Sequence, residues 1–397
     1  MQHYKYLIVG GGMTADSAIR GIREVDPQGS IGLITAETYP PYDRPPLTKG
    51  LWKGKPLEQI FRSTENRKVD IHLGFWGQNL DAENKRLHDG QGTVYTYDKL
   101  LLATGGTPRR LPFGDDHILY YRTLQDYKRL RALADEPHRF AVIGAGFIGS
   151  EIAAALKMNN QDVVMLFPED GIGGLMFPSD LSLFLNDYYR QKGIEVLTNA
   201  MVSGVESRGS QLVLQTRDGR QVRVDYAVAG IGVLPNTELA RSAGLKVEDG
   251  IIVNRFLCSS DPDIYAAGDV ASFHNPALGK RLRVEHEDNA NTMGKMAGAN
   301  MARQMMGTDL LPYDHLPFFY SDLFELGYEA IGELNPQLQT VSDWKEPYTK
   351  GMVYYLQSGR VRGVLAWNIW DQVEPARRLI AEPGPFVPEE LRQRLPV

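Results

Sequence analysis

Tyr6-Leu7-Ile8-Val9-Gly10-Gly11-Gly12-Met13-Thr14-Ala15 joins a strand, a turn and a helix start in one short run. Tyr6 to Val9 is short, apolar and β-rich, suited to a strand covered on both faces. Ala15, Ala18, Ile19, Ile22 and Val25 then recur at helical spacing. The turn between them reads GxGxxA. Gly10 permits the tight turn, Gly12 lets the backbone approach a pyrophosphate, and Ala15 allows close packing of helix on strand. The helix start offers unpaired N–H groups and a partial positive charge to phosphate. A second strand, Ile31 to Ile34, leads to Glu37, 25 residues after Gly12, where a carboxylate can accept from ribose hydroxyls.

The pattern recurs further along. Phe140 to Ile143 is a strand, Gly144-Ala145-Gly146-Phe147-Ile148-Gly149 a full GxGxxG, and Ile148, Ile152, Ala155 and Leu156 an apolar helical stripe. Val163 to Phe167 is the next strand and ends near Glu169, 23 residues after Gly146, close to the ~20 expected of a dinucleotide fold. One such string is weak evidence. Two copies, each with strand, helix and downstream carboxylate, point to two dinucleotide sites.

Composition sets the limits. The chain has 397 residues, 43% hydrophobic and 23% charged, so it is globular and holds two or three domains at roughly 150 residues each. No run approaches the ~18 apolar residues of a membrane span. The net charge of −6 argues against nucleic acid as a partner. The one cysteine, Cys258, excludes an intrachain disulfide, a CxxC pair and a cysteine-built metal site, and no metal is expected. The opening Met1 to Lys5 runs straight into the first strand with no basic-then-apolar leader, so a cytoplasmic location is expected.

Four further segments carry a family resemblance. Ala103-Thr104-Gly105-Gly106-Thr107-Pro108-Arg109 resembles the ATGxxPR segment of two-dinucleotide flavoproteins, and Gly230-Ile231-Gly232-Val233-Leu234-Pro235-Asn236 resembles its counterpart at the return crossing. Ile264-Tyr265-Ala266-Ala267-Gly268-Asp269-Val270 is similar to the third FAD motif of these proteins. Tyr42-Asp43-Arg44-Pro45-Pro46-Leu47-Thr48-Lys49 resembles the segment beside the flavin in ferredoxin and rubredoxin reductases and in apoptosis-inducing factor. The resemblance covers essentially the whole chain. It is to the FAD/NAD-dependent pyridine nucleotide oxidoreductases, in the branch of ferredoxin reductases and apoptosis-inducing factor.

The resemblance implies an α/β fold of the glutathione-reductase-like kind, with two Rossmann-like dinucleotide-binding domains and a C-terminal α+β domain. The expected domains are an FAD-binding segment over 1–112, an NAD-binding domain over 113–234, a second FAD-binding segment over 235–312, and a C-terminal domain over 313–397 that covers the flavin and carries a homodimer interface. The last region holds a hairpin signal, with Met352 to Gln357 and Arg360 to Leu365 flanking Ser358-Gly359. Met293, Ala297 and Met301 lie at helical spacing and read as core rather than as a binding surface.

Site residues follow from the same resemblance. FAD is expected on Gly10, Gly12, Ala15, Glu37, Arg44, Thr104, Gly105, Gly232, Gly268 and Asp269, whose aspartate holds the ribityl chain. NAD is expected on Gly144, Gly146, Gly149 and Glu169. A carboxylate at Glu169 repels the 2′-phosphate of NADP, and no Lys or Arg occurs from Phe167 to Phe177, so NADH is preferred over NADPH. Lys49 is placed by the flavin edge, where its charge favours electron density on the reduced ring, and Glu151 is its partner. A buried ammonium needs such a carboxylate to stay charged. Phe147 covers the flavin and swings away for NADH, or packs as an ordinary helix aromatic. Tyr320 stands where relatives have a tryptophan near the flavin. Glu285 and His286 precede a long helix; His286 contacts flavin or nicotinamide, or serves as a hydrogen-bonded structural histidine.

The cofactors carry the hydride chemistry, and the protein stacks and tunes them. The segment beside the flavin has no thiol, so electrons leave to an external acceptor. An iron–sulfur protein, ferredoxin or rubredoxin, is the expected partner. Between Lys280 and Arg303 five basic residues (Lys280, Arg281, Arg283, Lys295, Arg303) face three acids (Glu285, Glu287, Asp288), which is either a steering patch for an acidic protein or ordinary solvated charge. Two alternatives stand beside this reading. One is an NADH dehydrogenase using quinone, oxygen or an organic radical such as monodehydroascorbate. The other is an NADH sensor similar to apoptosis-inducing factor, with a stable charge-transfer complex.

Overall fold

The computed structural model describes residues 1–114 and 116–396. They fall into two compact units. The first joins residues 1–44, 56–107 and 234–317; the second joins 45–55, 108–233 and 318–397.

The first unit is built on strand Gln2–Val9, four residues longer at its start than the apolar run alone indicates. It lies between Ile31–Thr35 and Val94–Leu102, parallel to both. Asp70–Leu73 extends the sheet on one side and Ile264–Ala266 pairs parallel with Val94–Leu102 on the other. Tyr6, Leu7 and Ile8 are fully buried, as expected of a parallel strand covered on both faces. Helix Met13–Val25 follows the turn and packs against helix Glu287–Met305. That crossing needs glycine: a Cβ at Gly294 or Gly298 would come within 2.3 Å of the Thr14 carbonyl oxygen or 2.0 Å of that of Ala18. Met293, Ala297 and Met301 face the same core and are completely buried.

The second unit carries a parallel sheet in the order Glu195–Leu197, Asp162–Leu166, Arg139–Ile143, Tyr226–Ala229, Ile118–Tyr120. Helix Phe147–Met158 follows Arg139–Ile143 through the second glycine turn. Ile152, Ala155 and Leu156 are buried, but Ile148 is exposed, contrary to the expected stripe. It sits in the first turn, beside the open space at Gly146, where a side chain would meet nothing within 4 Å of its Cβ. An antiparallel sheet completes the unit, in the order Phe318–Leu323, Leu326–Gly332, Arg360–Trp367, Lys350–Gln357, Gln339–Glu346. Ser358 and Gly359 turn the expected hairpin with positive φ values of 51° and 74°. Among the described residues no helix is long and apolar enough to cross a membrane.

Candidate cofactor sites

Both glycine turns have the build of a phosphate cradle. Gly10 has φ +111°, and a Cβ there would lie 2.1 Å from the Ala103 carbonyl oxygen. Gly144 has φ +102° and the same conflict with Gly230, at 2.5 Å. Only glycine makes these turns. Gly12 and Gly146 differ. Each is the N-cap of its helix in extended backbone, and neither helix has a side-chain cap. A Cβ at Gly12 would meet nothing nearer than Arg44 Nη2 at 3.9 Å, and one at Gly146 nothing within 4 Å. Two helix N-termini therefore present uncapped N–H donors to open space. This is the geometry an anionic phosphate needs, and the donors fit a dinucleotide at each. Gly149 closes the second turn, since a Cβ there would lie 2.1 Å from Gly144 O.

Other expected residues of the first unit gather round its turn. Tyr42 Oη donates to Glu37 Oε2 at 2.5 Å, and Arg44 donates to the other carboxylate oxygen of Glu37 and, at 3.2 Å, to Tyr42 Oη. Burial acts against the Arg44 cation, but the Glu37 charge outweighs it and the group is held more firmly charged than usual. Thr104 Oγ1 donates to Asn236 O at 2.7 Å, and Gly105 O accepts from Asn236 N at 2.9 Å. Asp269 is buried at 9% exposure, and the site that a Gly268 side chain would fill is taken by Thr14 Oγ1, 2.3 Å away. Glu285 pairs with Arg283 Nη1 at 2.6 Å. His286 is the N-cap residue of Glu287–Met305, and burial pulls its pKa down to about 4 against the pull of Asp269 and Asp288.

The second unit brings together Lys49, Glu151 and Tyr320. Glu151, 4% exposed, lies on helix Phe147–Met158. Its Oε1 accepts from Lys49 Nζ at 2.6 Å. The Lys49 ammonium stands 5.4 Å from the centre of the Tyr320 ring. Two neighbours escape a reading from sequence: Thr48 Oγ1 donates to Glu151 Oε2 and Ser321 Oγ to Oε1, both at 2.5 Å. Burial, and after it the Glu151 charge, holds the phenols of Tyr189 and Tyr328 well above their ordinary pKa. Phe147 packs edge-on against Phe319 at 4.8 Å. Glu169 ends the strand region half-buried, and Gly232 O accepts from Arg109 N at 2.9 Å.

Most of the basic stretch from Lys280 to Arg303 is engaged locally: Arg283 with Asp249 and Glu285, Lys295 with Glu24, and Arg281 and Arg303 with backbone carbonyls. Cys258 is buried, its thiol donating to Asp261 O at 3.3 Å. Burial pushes that thiol up to about 11, so it stays protonated. Among the described residues no cluster of three His, Cys, Asp or Glu could hold a metal.

The chain is similar to known proteins. The pyridine nucleotide-disulphide oxidoreductase profile matches residues 4–302, and the profile of the C-terminal region of mitochondrion-associated apoptosis-inducing factor matches 342–382. The chain is 35% identical to the mitochondrial apoptosis-inducing factor 1 of Dictyostelium discoideum, over 96% of this chain and 79% of that one. It is 33% identical to monodehydroascorbate reductase 3 of Arabidopsis thaliana, over 97% and 94%. The reductase chain in a crystal structure of a covalent putidaredoxin reductase–putidaredoxin complex superposes with a TM-score of 0.89 at 29% identity, covering 98% of this chain and 95% of that one. The chain belongs to the pyridine nucleotide-disulphide oxidoreductase family. It is an oxidoreductase with an FAD cofactor and a nicotinamide dinucleotide substrate.

Proposed function

We propose that this family member takes a hydride from NADH and passes the electrons singly to an iron–sulfur protein of the ferredoxin type. The observation that carries this reading is the state of its sulfur. The one thiol in the chain is protonated, buried and hydrogen-bonded to Asp261 O. No protein dithiol takes the electrons, so the acceptor comes from outside. The likeness to a putidaredoxin reductase over 98% of this chain supports an iron–sulfur acceptor.

Residues are assigned within this reading. The first unit, with Gly12, Glu37, Arg44 and Asp269, holds FAD. Residues 113–234, with Gly146 and Glu169, hold the dinucleotide. The bound flavin supplies hydride acceptance and one-electron release. The protein's own groups orient and tune it: Glu169 accepts from the adenosine ribose and disfavours a 2′-phosphate, and the Lys49 ammonium, paired with Glu151 at 2.6 Å, favours the reduced ring. A second reading, an organic radical as acceptor, is favoured by the match to 94% of monodehydroascorbate reductase 3.

Anaerobic stopped-flow reduction tests the assignment. NADH should reduce the flavin with a higher kcat/KM than NADPH, and a [2Fe–2S] ferredoxin should then reoxidise it. Reoxidation by monodehydroascorbate with none by ferredoxin selects the second reading. A higher kcat/KM with NADPH removes the role given to Glu169.

A further inference from the structure

Glu151 presents an unusual balance of donors. Its carboxylate is almost completely buried, and its two oxygens accept from three groups: one ammonium and two neutral hydroxyls. The three come from separate stretches of the second unit than the helix that carries Glu151. Lys49 and Thr48 lie in the short 45–55 segment, Glu151 on the helix after the glycine turn, and Ser321 on strand Phe318–Leu323. Ser321 is completely buried, whereas Tyr320 beside it is 37% exposed, as strand alternation requires. One strand thus places an aromatic ring against the Lys49 ammonium and, one residue on, a hydroxyl on the carboxylate that holds the ammonium.

We infer that Thr48 and Ser321 are positioning residues that set how strongly Glu151 holds the charge of Lys49. The inference rests on the proposed action of Lys49 on the flavin. A carboxylate shares its charge among its donors. Hydroxyl donors on both oxygens take up part of it and hold the group in one orientation. Less of the carboxylate charge then falls on Lys49, and more of the ammonium field reaches outward. Remove a hydroxyl and the carboxylate turns its freed lone pair and charge onto the ammonium, which withdraws. The ring then loses part of the field that favours its reduced form.

Thr48 offers a clean test because valine copies its shape without the hydroxyl and serine keeps the hydroxyl. The holoenzyme variants Thr48→Val, Thr48→Ser, Ser321→Ala and Lys49→Met would be titrated anaerobically against a redox dye, reading the reduced-to-oxidised flavin ratio at one fixed dye potential. Lys49→Met should lower the ratio by about tenfold or more, and Thr48→Val and Ser321→Ala by roughly three- to tenfold in the same direction. Thr48→Ser should stay within about twofold of the parent. A role in folding alone would alter thermal unfolding without moving the ratio of the bound flavin. If Lys49→Met lowers the ratio while Thr48→Val and Ser321→Ala leave it at the parent value, the positioning role is overturned and the action of Lys49 stands. If Lys49→Met itself leaves the ratio unchanged, the action of Lys49 on the flavin fails, and this inference with it.

Discussion

The two glycine-turn helices each bury a carboxylate early on, and they treat it in opposite ways. Asp16 follows Ala15 directly; Glu151 comes two residues after Gly149. Asp16 is fully buried and surrounded by cations: Arg20 Nε at 2.8 Å, Arg62 Nε at 2.9 Å and Arg67 Nε at 3.9 Å, with Thr64 Oγ1 at 2.7 Å. Burial alone would raise its pKa, but the hydrogen bonds of Thr64 and Arg20 and the charge of Arg62 outweigh it and hold the carboxyl below the usual range. Glu151 has a single ammonium and two hydroxyls. The over-compensated carboxylate is framework, tying the first helix to the 56–67 stretch. The evenly matched one leaves its ammonium with charge to act on something else. A buried charge is thus read by counting what faces it.

The comparison breaks most visibly at Asp16. Asp16→Ala removes the buried carboxylate that three guanidiniums share, leaving Arg62 its contact with Asp43 Oδ1 at 3.0 Å, and breaking such a buried pair costs about 3–5 kcal/mol. Urea unfolding should show that loss. A loss under about 1 kcal/mol would mean that the arginines are satisfied without it. Glu151→Gln keeps the shape and one accepting oxygen, and the hydroxyl on the other side can turn to accept from the new amide N–H, so the loss should be smaller, about 1–3 kcal/mol. The flavin reduction potential should move in this variant and stay put in any Asp16 variant that folds. Equal costs at the two positions would erase the distinction drawn above.

Much of this is legible in the amino-acid sequence. Gly10 and Gly144 announce themselves because turn geometry leaves no substitute, Gly12 and Gly146 because a phosphate needs the room a side chain would fill, and the parallel strands because both faces are apolar. The Lys49–Glu151 pair comes from the family resemblance, since 102 residues separate the partners. Thr48 and Ser321 do not stand out, although each adjoins a residue that does. The signal exists for Ser321: a small polar residue one place from an exposed aromatic on a strand must face inward, and a buried hydroxyl needs an acceptor. What no pattern supplies is the acceptor. The cations on Asp16 are equally hidden, because Arg62 and Thr64 reach it from a segment of 3-10 turns and loops with no periodicity to read.

A further contrast separates the carboxylates from His286. Its native pKa of about 4 lies below the ordinary 6.5, so between those values the unfolded chain binds a proton that the native one refuses. Stability supplied by the neutral ring is fully present above pH 6.5 and is lost as pH falls towards 4. The loss should be of order 3 kcal/mol across that window. Stability curves of the parent and of His286→Gln, measured from pH 4 to 7, should converge at the acid end. Parallel curves would show that the ring is not kept neutral by the fold.

The smallest effect on stability, and the sharpest division between the two helices, is expected at Gly12 and Gly146. Both have ordinary extended backbone, with φ of −89° and −78°, so a side chain strains neither. A Cβ at Gly12 would come no nearer than 3.9 Å to Arg44 Nη2, and one at Gly146 would meet nothing within 4 Å. Valine at either should change unfolding free energy by no more than about 0.5 kcal/mol. What it fills is the room in which a phosphate must approach the helix N–H groups. Gly12→Val should therefore fold without retaining FAD. Gly146→Val should keep its flavin colour and lose NADH affinity, read as a raised KM with FAD content unchanged. If Gly146→Val lost flavin and Gly12→Val kept it, the assignment of FAD to the first turn and the nicotinamide dinucleotide to the second would be reversed.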